Sequence, residues 1–224
     1  MRDLFFVSCT AGRQEETLLW RSLQKLGISA FHFFEHNQRG LPACYNTYLN
    51  QFAGTNRILV LVHDDVSIND VFVQEKLNDA LLLFDIVGVV GSAQFDTAAR
   101  PTTYTWSVWP KQYLSGAVEH EVGAGLNTWM TCGITPRRCV IMDGLFLAID
   151  LLSIGRVRFD ERFDFHLYDL DFCLQAHHAG RTLGTTNLFL HHASMGDYYT
   201  PAYEQAIQTF RAKWTPTNAG KITL

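Results

Sequence analysis

Carboxylates and imidazoles gather at three points of this 224-residue chain, each at the end of an apolar run. Ile58-Leu59-Val60-Leu61-Val62 leads into His63-Asp64-Asp65. Phe163 to Tyr168 leads into Asp169-Leu170-Asp171, and Leu188-Phe189-Leu190 leads into His191-His192. Oxygen and imidazole donors together hold divalent cations, and a further carboxylate nearby can take a proton from a hydroxyl. These residues can therefore support metal-assisted group transfer with a general base, provided the fold brings the three points together. Strand ends in open α/β sheets meet that condition, because the crevice outside their carboxyl edge stays unfilled.

Each cluster also has a plainer use. Asp64 and Asp65 follow five apolar residues, so both leave the sheet at its carboxyl edge, yet an Asp pair is also a common helix start. Asp169 and Asp171 are spaced by one residue and cannot share a helix face. Separate jobs are expected: one caps a helix beginning near Asp169, and the other projects into the crevice as a base. Strand alternation turns His191 and His192 to opposite faces, so one of them faces the site. A neutral imidazole completing a carboxylate site suits Mn²⁺. His177-His178 falls near a helix end, where an imidazolium complements the dipole, and reads as structural.

The elements that must position these groups follow from periodicity. Residues 4–8 form a continuous apolar strand of the buried, parallel type. A helix follows with Leu19, Leu23 and Leu26 on one face and Gly27 beyond its end. Ile28 to Phe34 reads as a second strand. Pro42 opens a helix that buries Tyr45, Tyr48, Leu49 and Phe52, and Gly54 stops it. Ile58 to Val62 is the third strand, 71–84 a helix and 86–90 the fourth strand. This alternation predicts an α/β fold with a mainly parallel sheet flanked by helices. Residues 92–138 break the rhythm with Pro101, Trp106, Trp109, Pro110, Trp129 and four glycines, and are expected to be short strands and loops over the site. Regular structure returns with 140–149, a helix from Asp169 to Gly180, a strand through 183–190, and a last helix capped by Thr200 with Pro201 at its first position.

Composition narrows the function classes. With 47% hydrophobic and 18% charged residues the chain can bury a sizeable core in one domain. A net charge of −4 and no Lys or Arg block predict no nucleic-acid partner. Five cysteines without a CxxC pair argue against a disulfide framework or structural zinc, and with the short N-terminal apolar stretch predict a cytoplasmic protein. No uncharged apolar run is long enough for a transmembrane segment. There is no P-loop, dinucleotide turn or GxSxG elbow, and Cys9 has no evident base partner and reads as a buried thiol.

In this order and spacing, the clusters resemble family-2-like glycosyltransferases with the GT-A fold, closest to the bacterial branch whose metal motif reads His-x-Asp-Val. Phe6-Val7-Ser8-Cys9 resembles the first nucleotide-contacting strand. NQRGLPACYNTYLNQFAGTNRILVLVHDDV looks like the family's helix with its recurring Asn, here Asn46, followed by the strand of the DxD-type motif. Asp143 to Ile149, then FDERFDFHLYDLDFCLQAHHAG, looks like the acceptor-side strand and the helix of the catalytic acid.

The resemblance implies a GT-A-like doubly wound sheet, with 1–91 as nucleotide-binding half and 92–224 as acceptor-side half. It implies Asp65 as the main metal carboxylate assisted by Asp64, with His63 where many relatives carry the first Asp of DxD. Asp169 matches the base, with Tyr168 where a Glu more often stands, and Asp171 matches the helix's second acid. His191 or His192 matches a histidine that touches metal or diphosphate. Ser8, Cys9, Glu35, Asn46 and Asp64 would bind the nucleotide sugar, and Asp143, Gly144, Trp129 and Asp171 would face the acceptor. The implied activity is metal-dependent inverting transfer, with Mn²⁺ or Mg²⁺, from a nucleotide-diphosphate sugar donor to a glycan or other hydroxyl acceptor. Chemically, a cation helps the diphosphate leave, and a single aspartate opposite deprotonates the acceptor. Trp106, Trp109 and Trp129 can stack on sugar faces or simply pack. Two other readings remain: a nucleotidyltransferase or other nucleotide-sugar enzyme, and a non-catalytic carbohydrate- or nucleotide-binding module.

Overall fold

Runs of Val, Leu and Ile make the central strands, and threonine hydroxyls cap the first and last α-helices. The computed structural model describes residues 1–97, 105–121, 126–194, 199–214 and 220–224. Its first part contains β1 (Asp3–Cys9), α1 (Leu18–Lys25), β2 (Phe31–Phe34), α2 (Leu41–Gln51), β3 (Arg57–Val62), β4 (Val66–Ile68), α3 (Val73–Ala80), β5 (Ile86–Gly88), β6 (Val90–Ser92) and β7 (Gln94–Asp96). Then come β8 (Leu114–Glu121), β9 (Asn127–Gly133), β10 (Arg137–Cys139), β11 (Ile141–Met142) and β12 (Phe146–Asp150). The chain continues through α4 (Tyr168–His178), β13 (Leu183–Thr185), β14 (Leu190–His192), α5 (Pro201–Trp214) and β15 (Lys221–Thr223). Among the described residues, no helix is long and apolar enough to cross a membrane.

The main sheet runs β10-β13-β5-β12-β3-β1-β2. β1, β2, β3, β5 and β13 point one way, and β12 and β10 run against them. The result is an α/β sheet in a single domain, as expected, but it is mixed rather than mainly parallel, because β12 and β10 enter it antiparallel to their neighbours. β12 lies between β3 and β5, so the earlier and later parts of the chain share this sheet. A second sheet runs β11-β6-β8-β14-β4, with β9 paired to β8. Four times the chain passes directly from the main sheet into the second, at β3/β4, β5/β6, β10/β11 and β13/β14. These crossings create a seam between the sheets, and the site lies on it.

Burial sets the core on β3 and β12: Ile58 to Val62 and Phe146 to Ile149 are fully buried. Apart from Ala148, each such side chain contributes about 1.5–3 kcal/mol through lost water contact. α1 starts where the Thr17 hydroxyl accepts from Trp20 N at 3.1 Å, buries Leu19 and Leu23, and stops before Gly27, whose φ of 67° favours glycine. α5 starts at Thr200, whose hydroxyl accepts from Tyr203 N at 3.2 Å.

Several boundaries differ from expectation. β2 begins at Phe31 rather than Ile28, and α3 occupies only Val73–Ala80. The expected strand 86–90 is two strands in different sheets, broken at Val89; 183–190 likewise divides into β13 and β14. Val89 is fully buried like its neighbours, so hydrophobicity alone does not mark the bend. The 92–138 stretch holds the longest hairpin, β8–β9, within which Val118 and His120 point inward and Glu119 and Glu121 less so. Pro101, Gly123 and Gly125 lie outside the described residues.

Candidate active site

β3 ends at Val62, and the turn at 63–65 delivers His63 and Asp65 to the seam. His63 N donates to Leu145 O at 3.0 Å, which holds this turn against the turn before β12. β4 returns beside β14, with Val66 opposite His192, and Ala193 N donates to Asp65 O at 3.0 Å. His192 is thereby brought next to Asp65, with Nε2 3.3 Å from Oδ1. Ligand atoms of His63, Asp65 and His192 all lie within 4.8 Å of one another. Two imidazoles and a carboxylate at that spacing can hold a divalent cation.

Burial works against the charge on Asp65, but His192 outweighs it and holds the carboxyl below its ordinary range. Burial likewise opposes the imidazolium of His192, yet the Asp65 contact raises its pKa. His63 is pushed down, first by burial and also by His192, so it is neutral near pH 7. Its ring stacks on Phe165 at 5.7 Å.

The acid helix arrives from the other side of the seam. Leu167, buried with φ 61°, adopts a left-handed conformation that side chains disfavour, and so turns the chain sharply into α4. Asp169 Oδ1 accepts from Leu170 N at 2.9 Å and Oδ2 from Gly144 N at 2.8 Å. Asp169 thus satisfies a helix N–H and faces the crevice as well, the two jobs expected to be split between Asp169 and Asp171. Burial first, and the Asp143 charge second, push its pKa up to about 7. Asp143 is held by Leu145 N at 2.9 Å and by Trp106 Nε1 at 2.6 Å.

A cavity of about 380 Å³ is lined by His63, Asp65, His120, Asp143, Asp169 and His192, with Trp106, Met130, Phe165 and Tyr203 adding apolar wall. Asp65 and Asp169, 104 positions apart in sequence, therefore open into one space. His120 was not singled out from the sequence. Its Nδ1–H donates to Ser194 O at 2.9 Å, and its ring centroid is 5.2 Å from that of His192. The alternation Val118-Glu119-His120-Glu121 was the signal that could have found it.

Gly144 is required by this packing. A Cβ there would overlap the Tyr168 hydroxyl and come within 2.8 Å of Asp169 Cβ. Gly144→Ala is expected to destabilise the fold by about 1–3 kcal/mol through overpacking, read as a lower urea midpoint with unchanged slope.

The nucleotide-side residues form a second group. Pairing of Val7 with Leu61 and Cys9 with Phe34 brings Ser8, Cys9, Glu35 and Asp64 to the same sheet edge. Asp64 does not line the cavity; its charge acts on Cys9 and Tyr45, on the α2 side. Ser8 Oγ is buried without a hydrogen-bond partner. Cys9 is buried, its thiol pushed up by the neighbouring Cys44 and by burial. Glu35 is exposed and accepts from Gln14 N at 2.7 Å.

Four expected site residues lie elsewhere. Asp171 is fully buried away from the cavity, accepting from Trp214 Nε1 at 2.8 Å and Gln175 Nε2 at 2.7 Å and pairing with Lys213 at 2.7 Å, so it anchors α5 to α4. Asn46 clamps α2 to the segment before α4: Nδ2 donates to Phe159 O and Glu161 Oε1, both at 2.9 Å, and Oδ1 accepts from Phe159 N at 2.9 Å. His191 points to the other face of β14 and meets Glu119 at 3.1 Å. Trp129 lies outward against Phe189, with ring centroids 5.1 Å apart, while its neighbour Met130 lines the cavity.

No family model matches the chain, and no curated protein matches it. Among solved structures it is similar to A197 from STIV, with a TM-score of 0.51 and 14% identity over 87% of this chain and 86% of that one. At that identity the likeness concerns the fold alone. The class so defined is a single-domain mixed α/β protein with helices flanking its sheets.

Proposed function

We propose that the chain is a metal-dependent inverting glycosyltransferase of GT-A-like fold, moving a sugar from a nucleotide-diphosphate sugar to an acceptor hydroxyl. One observation carries the reading: a cation-type donor trio and an aspartate with a pKa near 7 share one cavity at the carboxyl ends of the strands. The donor set fits a cation. Asp65 Oδ1 is buried 3.3 Å from His192 Nε2, beside two imidazoles rather than beside Lys or Arg. Asp65, His192 and His63 would hold the ion, and two imidazoles favour Mn²⁺ over Mg²⁺, which prefers all-oxygen octahedral sites. When bound, the cation supplies neutralisation for the departing diphosphate.

The protein's own groups account for the remainder. Ser8, Cys9 and Glu35 offer an edge for the nucleoside, with Asp64 beside them. Asp169, oriented by the N–H groups of Gly144 and Leu170, takes the proton from the acceptor hydroxyl; a base with a pKa near 7 is matched to that task. Attack from the Asp169 side with departure toward Asp65 inverts the anomeric centre. Trp106, Phe165 and Met130 give the space apolar wall, and the Asp143 charge helps raise the pKa of the base.

Incubation with UDP-, GDP- and dTDP-sugars, with and without Mn²⁺, tests the reading. Metal-dependent release of nucleoside diphosphate is expected. Pyrophosphate formation from a nucleoside triphosphate and sugar phosphate would favour a nucleotidyltransferase instead, and binding without any release would favour a non-catalytic module.

A further inference from the structure

Tyr168 stands one residue before the proposed base, fully buried, and touches both halves of the site. Its hydroxyl donates to Gly144 O at 3.0 Å and lies 2.8 Å from His63 Nε2. A phenol has one proton and a carbonyl oxygen has none. With that proton committed to Gly144, the contact with His63 closes only if Nε2–H donates to the phenol oxygen. The ring's lone pair is then on Nδ1. An ordinary phenol keeps its proton at neutral pH. The Gly144 peptide thereby serves both sides: its N–H orients Asp169 and its C=O orients Tyr168, which explains why no side chain is tolerated there.

We propose that Tyr168 is a positioning residue for the metal centre: anchored on the Gly144 carbonyl, its hydroxyl fixes His63 with the proton on Nε2 and the lone pair on Nδ1 offered to the cation shared with Asp65 and His192. This rests on the reading of that trio as a cation site. The opposite tautomer would place a proton on Nδ1 and remove a ligand. Partners that orient a ligating histidine typically account for 10–100-fold in metal affinity.

The test uses the whole chain labelled with ¹⁵N-histidine, its His63 signals assigned by their loss in His63→Gln. In the metal-free wild type, His63 is expected to show the proton on Nε2. In Tyr168→Phe that signature should give way to a tautomer mixture, and Mn²⁺ affinity, read by electron paramagnetic resonance, should fall about 10–100-fold with circular dichroism unchanged. A proton on Nδ1 in the wild type overturns the proposal, and this measurement decides it even if Tyr168→Phe does not fold. Equal Mn²⁺ affinity in a folded Tyr168→Phe overturns it too, while leaving the cation-site reading intact. A wild type that binds no Mn²⁺ sinks that reading, and this proposal with it.

Discussion

Asp169→Asn is expected to lower sugar transfer about 10²–10⁴-fold, the range a general base contributes, while donor binding and fold persist. The substitution keeps the size of the side chain but removes its ability to accept the acceptor proton. Its amide NH₂ must face one of the two backbone N–H groups that Asp169 now accepts from, at a cost of about 1–3 kcal/mol, less than the stability typical of a folded domain. Wild-type turnover should rise with pH through about 7. Burial, and next to it Asp143, raises the Asp169 pKa, so the carboxyl stays protonated and idle below that pH and becomes a base above it. Asp143→Asn removes the repelling charge and should move the midpoint downward. Steady-state rates across pH 5 to 9 read both effects. Unchanged turnover in Asp169→Asn would remove it from the chemistry.

Asp65→Ala should abolish Mn²⁺-dependent binding of a nucleoside diphosphate, measured by calorimetry. It deletes the one oxygen donor of the trio and leaves two imidazoles, one of them lowered in pKa by burial. A companion change is expected without metal. The Asp65 contact raises the His192 pKa against its burial, so the NMR titration of His192 should move downward in Asp65→Ala. Unaltered calorimetry would place the cation, if any, elsewhere.

Particular residues show where sequence reading succeeds. Five apolar residues, three of them β-branched, before His63-Asp64-Asp65 read as a buried strand with polar groups at its exit, and β3 is that strand. Gly27, Thr200 and Pro201 mark helix ends through local backbone needs, which a sequence displays directly. The breaks at Val89 and Val140 are invisible because both residues are as apolar and buried as their neighbours; only the second sheet gives the chain reason to bend. The roles of Asp169 and Asp171 depend on which surface meets Lys213 and Trp214, and those contacts come from a helix forty residues on. The placement of Asn46 away from the cavity was hidden for the same reason, its amide being used by the distant backbone at Phe159. His192 was separable from His191 only once β14 was registered against β4 and β8.

Paramagnetic broadening by Mn²⁺ in the ¹⁵N-labelled wild type tests most directly whether these distant segments meet around one ion. Amide signals of Gly144, Asp169 and Leu170 should broaden together with those of His63, Asp65 and His192. The amides of 26–30, beside a cavity of about 490 Å³ at the opposite strand ends, should stay sharp. Broadening that spares Gly144 and Asp169, or that centres on 26–30, would contradict a shared site for cation and base.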